Sequence, residues 1–245
     1  MLHHFIPDAE PPPRSRGGEP SIVVVPIGAR DVLRAAFVWN LAFEIAREGA
    51  SADIVGPDDG DPTALWPYVG AGPLGTGVTI AAAHGPADLL RAARDLADAR
   101  TAESTHGIVL ARVPPGWLGT AADAGTLLRW SLLFSAADRR DLLETYALAK
   151  RLLCAAPSMR IGVVIHGVRR VAEAERAFSR LAQAARRHLG ARIASYGLLV
   201  DDLHLVRSIA SRRPVGLVHP QSPAARALRD VARLILADAC GDGDA

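Results

Sequence analysis

Cysteine is scarce in this chain: there are two, Cys154 and Cys240, among 245 residues. They stand far apart and belong to no Cys/His motif, which excludes a disulfide scaffold and a zinc ribbon or finger. A reducing, cytoplasmic setting is expected. Lysine is scarcer still. Lys150 is the only one, so arginine carries the basic charge, as G/C-rich coding would produce. No apolar run reaches the roughly 18 residues of a membrane span, and the N-terminus has no basic-then-apolar signal pattern. The eight histidines form no H-x-x-x-H or H-E-x-x-H set, and His3 and His4 read as incidental. No serine sits in G-x-S-x-G, and neither cysteine has a catalytic context. No catalytic residue and no metal site is therefore expected. The net charge of +2 points to no particular partner class.

What is present fits one large α/β domain. The length suffices for a sizeable core, and 49% of residues are hydrophobic. Residues 1–20, with Pro11-Pro12-Pro13 and a following Arg/Ser/Gly run, read as a disordered leader. Residues 21–239 read as the domain, and 240–245 as a flexible acidic tail. Within the domain, apolar runs alternate with helical stretches, the pattern of βα units around a mostly parallel sheet flanked by helices. Strands are expected at 22–25, 52–55, 78–82, 107–113, 161–165, 193–199 and 215–218. Helices are expected at 32–48, 86–99, 138–153, 171–189, 203–210 and 224–239. Residues 126–134 mix helix-end and strand signals.

Several local patterns invite a functional reading. Gly70-Ala-Gly-Pro-Leu-Gly75 matches G-x-G-x-x-G, but a dinucleotide loop needs a strand before it and a helix after. This one contains proline and runs into a strand-like segment, so it reads as a connection. Asp58, Asp59 and Asp61 read as a solvated turn, because Asp favours turns through its side-chain hydrogen bonds. The pairs Arg169-Arg170, Arg186-Arg187 and Arg212-Arg213 read as solvated helix faces and loop ends, and no nucleic-acid binding is expected. The last helix carries Leu228, Val231, Leu234 and Ile235 on one face. It reads as packing on the sheet and not as a membrane-binding helix.

One constellation goes further. An apolar run (22–25), a Pro/Gly break and a helix containing Asn40-Leu41-Ala42 resemble the opening of MinD/ParA P-loop ATPases, whose loop reads K-G-G-x-G-K-[ST] with N-L-A beyond it. Later segments resemble the same family in order and spacing. They are Tyr146-Ala-Leu-Ala-Lys150, the strand ending at His166-Gly-Val168, and the helix running from Phe178 to Gly190. Gly197-Leu-Leu-Val-Asp-Asp202 and Arg213-Pro-Val-Gly-Leu-Val-His-Pro-Gln-Ser-Pro-Ala-Ala-Arg-Ala227 follow. The chain looks most like the FlhG (FleN-type) flagellar-number branch. The resemblance implies the P-loop NTPase architecture.

The departures fall on chemical positions. Anchored on Asn40, the loop positions are Gly28, Ala29, Arg30, Asp31, Leu33, Arg34 and Ala35. The resemblance puts Arg34 at the P-loop lysine, Ala35 at the Mg²⁺-binding hydroxyl and Ala29 at the second lysine. It puts Arg30, Asp31 and Leu33 at glycines. Glycines let successive N–H groups curl around phosphate, and Asp31 brings a like charge instead. At about 4 Å and an effective dielectric of about 20 such a pair repels by about 4 kcal/mol. Guanidinium does not substitute freely for a compact ammonium, and alanine cannot ligate Mg²⁺. Gly56 and Asp58 stand at the family's D-x-D, Ala111 and Arg112 at its Mg²⁺-proximal Asp, and His166 at its adenine-contacting Asn.

Framework kept beside chemistry removed implies a non-catalytic, pseudo-ATPase regulatory or scaffold protein in spatial organisation such as flagellar number or placement. It would act through protein partners and need no cofactor. The alternative is a weak or atypical ATPase using ATP and Mg²⁺, with Arg34, Asp58 and His166 as residual contacts. A third reading is a Rossmann-type enzyme for an unrelated small ligand. ATP-bound relatives dimerise face to face with the second lysine reaching across. Ala29 cannot do that, so any homodimer is expected to form without ATP. The D-Q-A motif with which the FlhG branch stimulates its GTPase partner is not found in residues 1–20.

Overall fold

The computed structural model describes residues 21–28, 31–58, 78–102, 107–118 and 128–240. The leader, Ala29, Arg30, Asp59, Asp61, the Gly70–Gly75 stretch and the acidic tail beyond 240 lie outside them. Seven strands form one parallel sheet: β1 (Ser21–Pro26), β2 (Ser51–Pro57), β3 (Val78–Ala83), β4 (Gly107–Val113), β5 (Trp130–Ala136), β6 (Arg160–Val168) and β7 (Ile193–Val200). Their spatial order is β3-β2-β4-β1-β5-β6-β7, with every pairing parallel. The expected α/β architecture is the one observed. Four of the six residues of β1, Ile22 to Val25, are β-branched, and they pack alternately on the two sheet faces, as a strand covered on both sides must.

Two helical layers provide that cover. On one face, Val23 and Val25 meet α1 (Val32–Arg47) and α7 (Pro223–Cys240), with α5 (Leu203–Ala210) beside them. On the other, Ile22 and Val24 meet α2 (Pro86–Ala102), α3 (Arg139–Ala155) and α4 (Val171–Leu189). Local chemistry sets the helix ends. Asp138 caps α3 by accepting from the N–H groups of Arg140 and Asp141. Gly190 ends α4 at φ 63°, a left-handed stop that glycine adopts without a Cβ clash. The last helix does pack inward: Leu228, Val231 and Ile235 are buried against α1 and the sheet. Among the described residues no helix is long and apolar enough to cross a membrane.

The strand signal within 126–134 is the start of β5, which opens at Trp130. One expectation needs correction. Residues 215–218 are not a strand but one helical turn, α6 (Val215–Val218). The reason is a contact remote in sequence. Asn40, fully enclosed on α1, donates to the Ala36 carbonyl at 2.8 Å and accepts the Val215 N–H at 2.7 Å. Pro214 starts the turn with its fixed φ of −58°. Beneath α6, a Cβ on Gly216 would fall 1.7 Å from Glu44 Oε1. Glu44 is itself buried and held by Arg47 and Arg229, each at 3.1 Å. Gly216→Ala therefore overpacks a closed site. It is expected to lower stability by about 1–3 kcal/mol, read from the urea unfolding midpoint at unchanged m-value.

Candidate functional site

Between β1 and α1 the Asp31 N–H donates to the Gly28 carbonyl at 3.0 Å. Asp31 then caps α1. Its Oδ1 accepts the Arg34 N–H at 3.0 Å, and its carbonyl accepts the Ala35 N–H at 3.0 Å. Aspartate is a preferred cap because its carboxylate satisfies an otherwise unpaired N–H at the positive end of the helix. The negative charge expected to face a polyanion is thus spent on the helix itself. Leu33 is 41% exposed. Among the described residues, a Cβ on Gly28 would meet nothing within 4 Å. Ala35 is buried.

Arg34 is held on three sides. Its Nε donates to the Phe134 carbonyl at the end of β5 at 3.0 Å. Its two terminal nitrogens pair with Asp31 Oδ2 at 2.8 Å and with Asp141 Oδ1 at 2.5 Å. Asp141 lies in the first turn of α3, and its second oxygen accepts the Ala136 N–H. The guanidinium fork, whose planar geometry suits carboxylates and phosphates alike, is filled by the protein's own groups. Burial pulls the Arg34 pKa down, but the two carboxylates outweigh it and hold it above its ordinary value. Burial likewise pushes Asp141 up, and bonds from Arg34 and Ala136 overcome this to hold it below the usual carboxylate range.

His166 joins this cluster from the end of β6, where it lies in register with Ala136. It is buried, its ring packs on Phe37 at 5.1 Å, and Phe37 packs on Phe134 at 5.3 Å. Its Nε2 is 3.9 Å from Asp141 Oδ2 and makes no hydrogen bond among the described residues. Burial, and then the charge of Arg34, lower its pKa. The folded protein therefore holds this imidazole neutral where the unfolded chain would already take a proton. The stability it supports is full above the ordinary histidine pKa and is lost as pH falls below it towards the depressed folded value. The unfolding midpoint of the wild type is expected to drop as pH is lowered from neutrality through about 6.5. His166→Gln should show a flatter profile over the same range.

Asp58 is not brought to this cluster. It follows β2, two strands from β1, which at the usual strand spacing is about 10 Å. Its N–H donates to the Ala83 carbonyl, and its carboxylate lies 3.5 Å from His84 Nδ1 on an exposed edge. Ala111 is buried in the core of β4, and the stem of Arg112 runs beside Gly56. Among the described residues no group of three or more His, Cys, Asp or Glu is placed to hold a metal. The structure thus unites Asp31, Arg34 and His166 and leaves Asp58 apart. It adds Asp141, which sequence reasoning missed. The available signal was Asp138-x-x-Asp141, a cap followed by an acid in the first helical turn after an apolar run.

No protein-family model and no curated protein sequence matches the chain. Solved structures match its fold, and they define it as that of the MinD/ParA P-loop ATPases. The MinC:MinD cell division complex of Aquifex aeolicus matches with a TM-score of 0.60 at 14% identity, covering 88% of this chain and 95% of that one. The septum site-determining protein MinD of Pyrococcus horikoshii, complexed with Mg-ADP, gives 0.59 at 15%, covering 88% and 95%. A ParA family ATPase of Chlorobium tepidum gives 0.56 at 13%, covering 89% and 99%.

Proposed function

We propose that this chain is a non-catalytic, pseudo-ATPase protein of MinD/ParA type that works as a regulator or scaffold through protein partners. The observation that carries this reading is the filled fork of Arg34. The cation that would stand nearest a nucleotide's phosphates already holds Asp31, Asp141 and the Phe134 carbonyl. The site fits Mg·ATP poorly in other respects. Asp31 occupies the start of the helix, Ala35 offers no hydroxyl, and the surviving carboxylate of Asp58 is turned towards His84. His166 packs on Phe37 and points no free edge outward.

The fold's neighbours supply the functional context. One of them is a complex of MinD with the cell division protein MinC, and action through a protein partner is the property carried here. The FlhG-like sequence pattern supports spatial organisation, such as flagellar number or placement, as the process. The test is phosphate release from Mg·ATP by purified protein, with Asp58→Ala as reference. Equal, background rates in both support the reading. A wild-type rate that Asp58→Ala abolishes would establish the weak-ATPase alternative instead.

A further inference from the structure

Helix α5 is apolar on both sides. Its inner face buries Leu205, Ser208 and Ile209 under α7. Its outer face presents Leu203, 61% exposed, and Val206, 55% exposed, with Arg207 and Ala210 beside them. The spacing Leu203–Val206–Ala210 is the three-then-four step of a helix seam. Burial within the chain explains one stripe of an amphipathic helix, not two, and an exposed apolar stripe on a rigid, capped helix marks a contact surface. The cap is firm: Asp202 accepts the His204 N–H at 2.9 Å and the Ala224 N–H at 3.0 Å.

Charge along α5 is polarised and says what covers the stripe. Just before the helix stands Asp201, exposed and loosely approached by Arg169 at 3.8 Å. Towards its end and just beyond come Arg207, Arg212 and Arg213, all exposed, and no acid occurs from 203 to 222. An antiparallel copy of the same helix complements this pattern. With a twofold axis between Val206 and Arg207, Leu203 falls opposite the second copy's Ala210, a large side chain against a small one. Val206 falls opposite the second copy's Arg207, whose apolar stem can cover it while the guanidinium reaches solvent. Asp201 faces the second copy's Arg212, and the two helix dipoles oppose, which is favourable. A self-complementary patch of this kind defines an isologous dimer.

We infer that α5 is a homodimerisation surface, pairing antiparallel with α5 of a second copy without nucleotide. An eight-residue helix is about 12 Å long and buries less than the roughly 800 Å² per partner of a standard interface. The association is therefore weak and concentration-dependent, and it weakens with salt as the end pairs are screened.

Sedimentation of the intact, nucleotide-free protein over a concentration series tests it. Dimerisation is expected in the wild type and should weaken at least about tenfold, some 1.4 kcal/mol, in Val206→Arg, which sets two further guanidinium groups beside the two Arg207 side chains at the axis. Asp201→Arg should weaken it too, and the double variant Asp201→Arg/Arg212→Asp should restore it, since the exchange rebuilds the opposite pairs. Arg212 sits at φ 54°, where Asp is tolerated, and unchanged thermal melting would show that each variant is folded. A monomer at every concentration overturns the inference, and so does a dimer that Val206→Arg leaves intact. Anionic phosphatidylglycerol vesicles are the control for a lipid occupant. If Val206→Glu abolishes vesicle binding by a protein that stays monomeric, the stripe is a membrane contact and the inference falls. Because no nucleotide is present, none of these outcomes bears on the reading of the loop.

Discussion

Replacing Arg34 by alanine is expected to destabilise the nucleotide-free protein by about 3 kcal/mol, the low end of what breaking a buried ion pair costs. The low end applies because the partners are not fully enclosed: the side chains of Asp31 and Asp141 are 25% and 17% exposed. Removing the cation leaves two carboxylates near each other at the junction of α1, β5 and α3, and leaves the Phe134 carbonyl without its donor. A loop cation reserved for a ligand would behave in the opposite way. Its loss would relieve a charge held without a partner, and stability of the empty protein would stay level or rise. The double variant Arg34→Leu/Asp141→Leu should recover much of the loss, since replacing both members of a pair spares the unpaired charge. Urea unfolding of Arg34→Leu, Asp141→Leu and the double variant measures this coupling directly.

The second large effect is a gain. Asp31→Gly removes the carboxylate that caps α1 and releases one terminal nitrogen of Arg34. It leaves an uncapped helix start facing a half-free guanidinium, the arrangement that attracts phosphate. The variant is expected to lose only a few tenths of a kcal/mol with the cap, since glycine is itself a tolerated cap residue. Inorganic phosphate or ATP should then bind at least about tenfold more tightly than to the wild type. Thermal unfolding with and without phosphate reads both effects, because a ligand that binds the folded state raises the midpoint. If Asp31→Gly stays as insensitive to phosphate as the wild type, something other than Asp31 closes the loop.

The fold was legible because its signals are local. Runs such as Ile22-Val-Val-Val25 and Gly162-Val-Val-Ile165 have room for little but a buried strand, and the helices between them announce their ends with Gly49 and Gly190. The turn at α6 was not legible. Val215-Gly-Leu-Val218 is apolar and β-branched, and what makes it helical is an amide from Asn40, 175 positions away. The site was legible in composition but not in arrangement. Missing groups could be counted at Ala29, Ala35 and Ala111. That Asp31 and Arg34 satisfy each other could have been read from an acid and a base one helical turn apart. Asp141 is legible as an acid in the first turn of a capped helix, but not as a neighbour of Arg34, because its place there depends on β5 lying next to β1. His166 was singled out for the position it occupies, and the structure gives it other neighbours: Phe37 and the Arg34–Asp141 pair.

The claim that the loop is closed by its own residues is tested most directly by calorimetric titration of the purified protein with ATP, ADP and GTP, each with and without Mg²⁺. The account predicts no heat of binding for any nucleotide at millimolar concentration, with or without the metal. Micromolar binding, strengthened by Mg²⁺ and lost in Arg34→Ala protein shown to be folded, would contradict it.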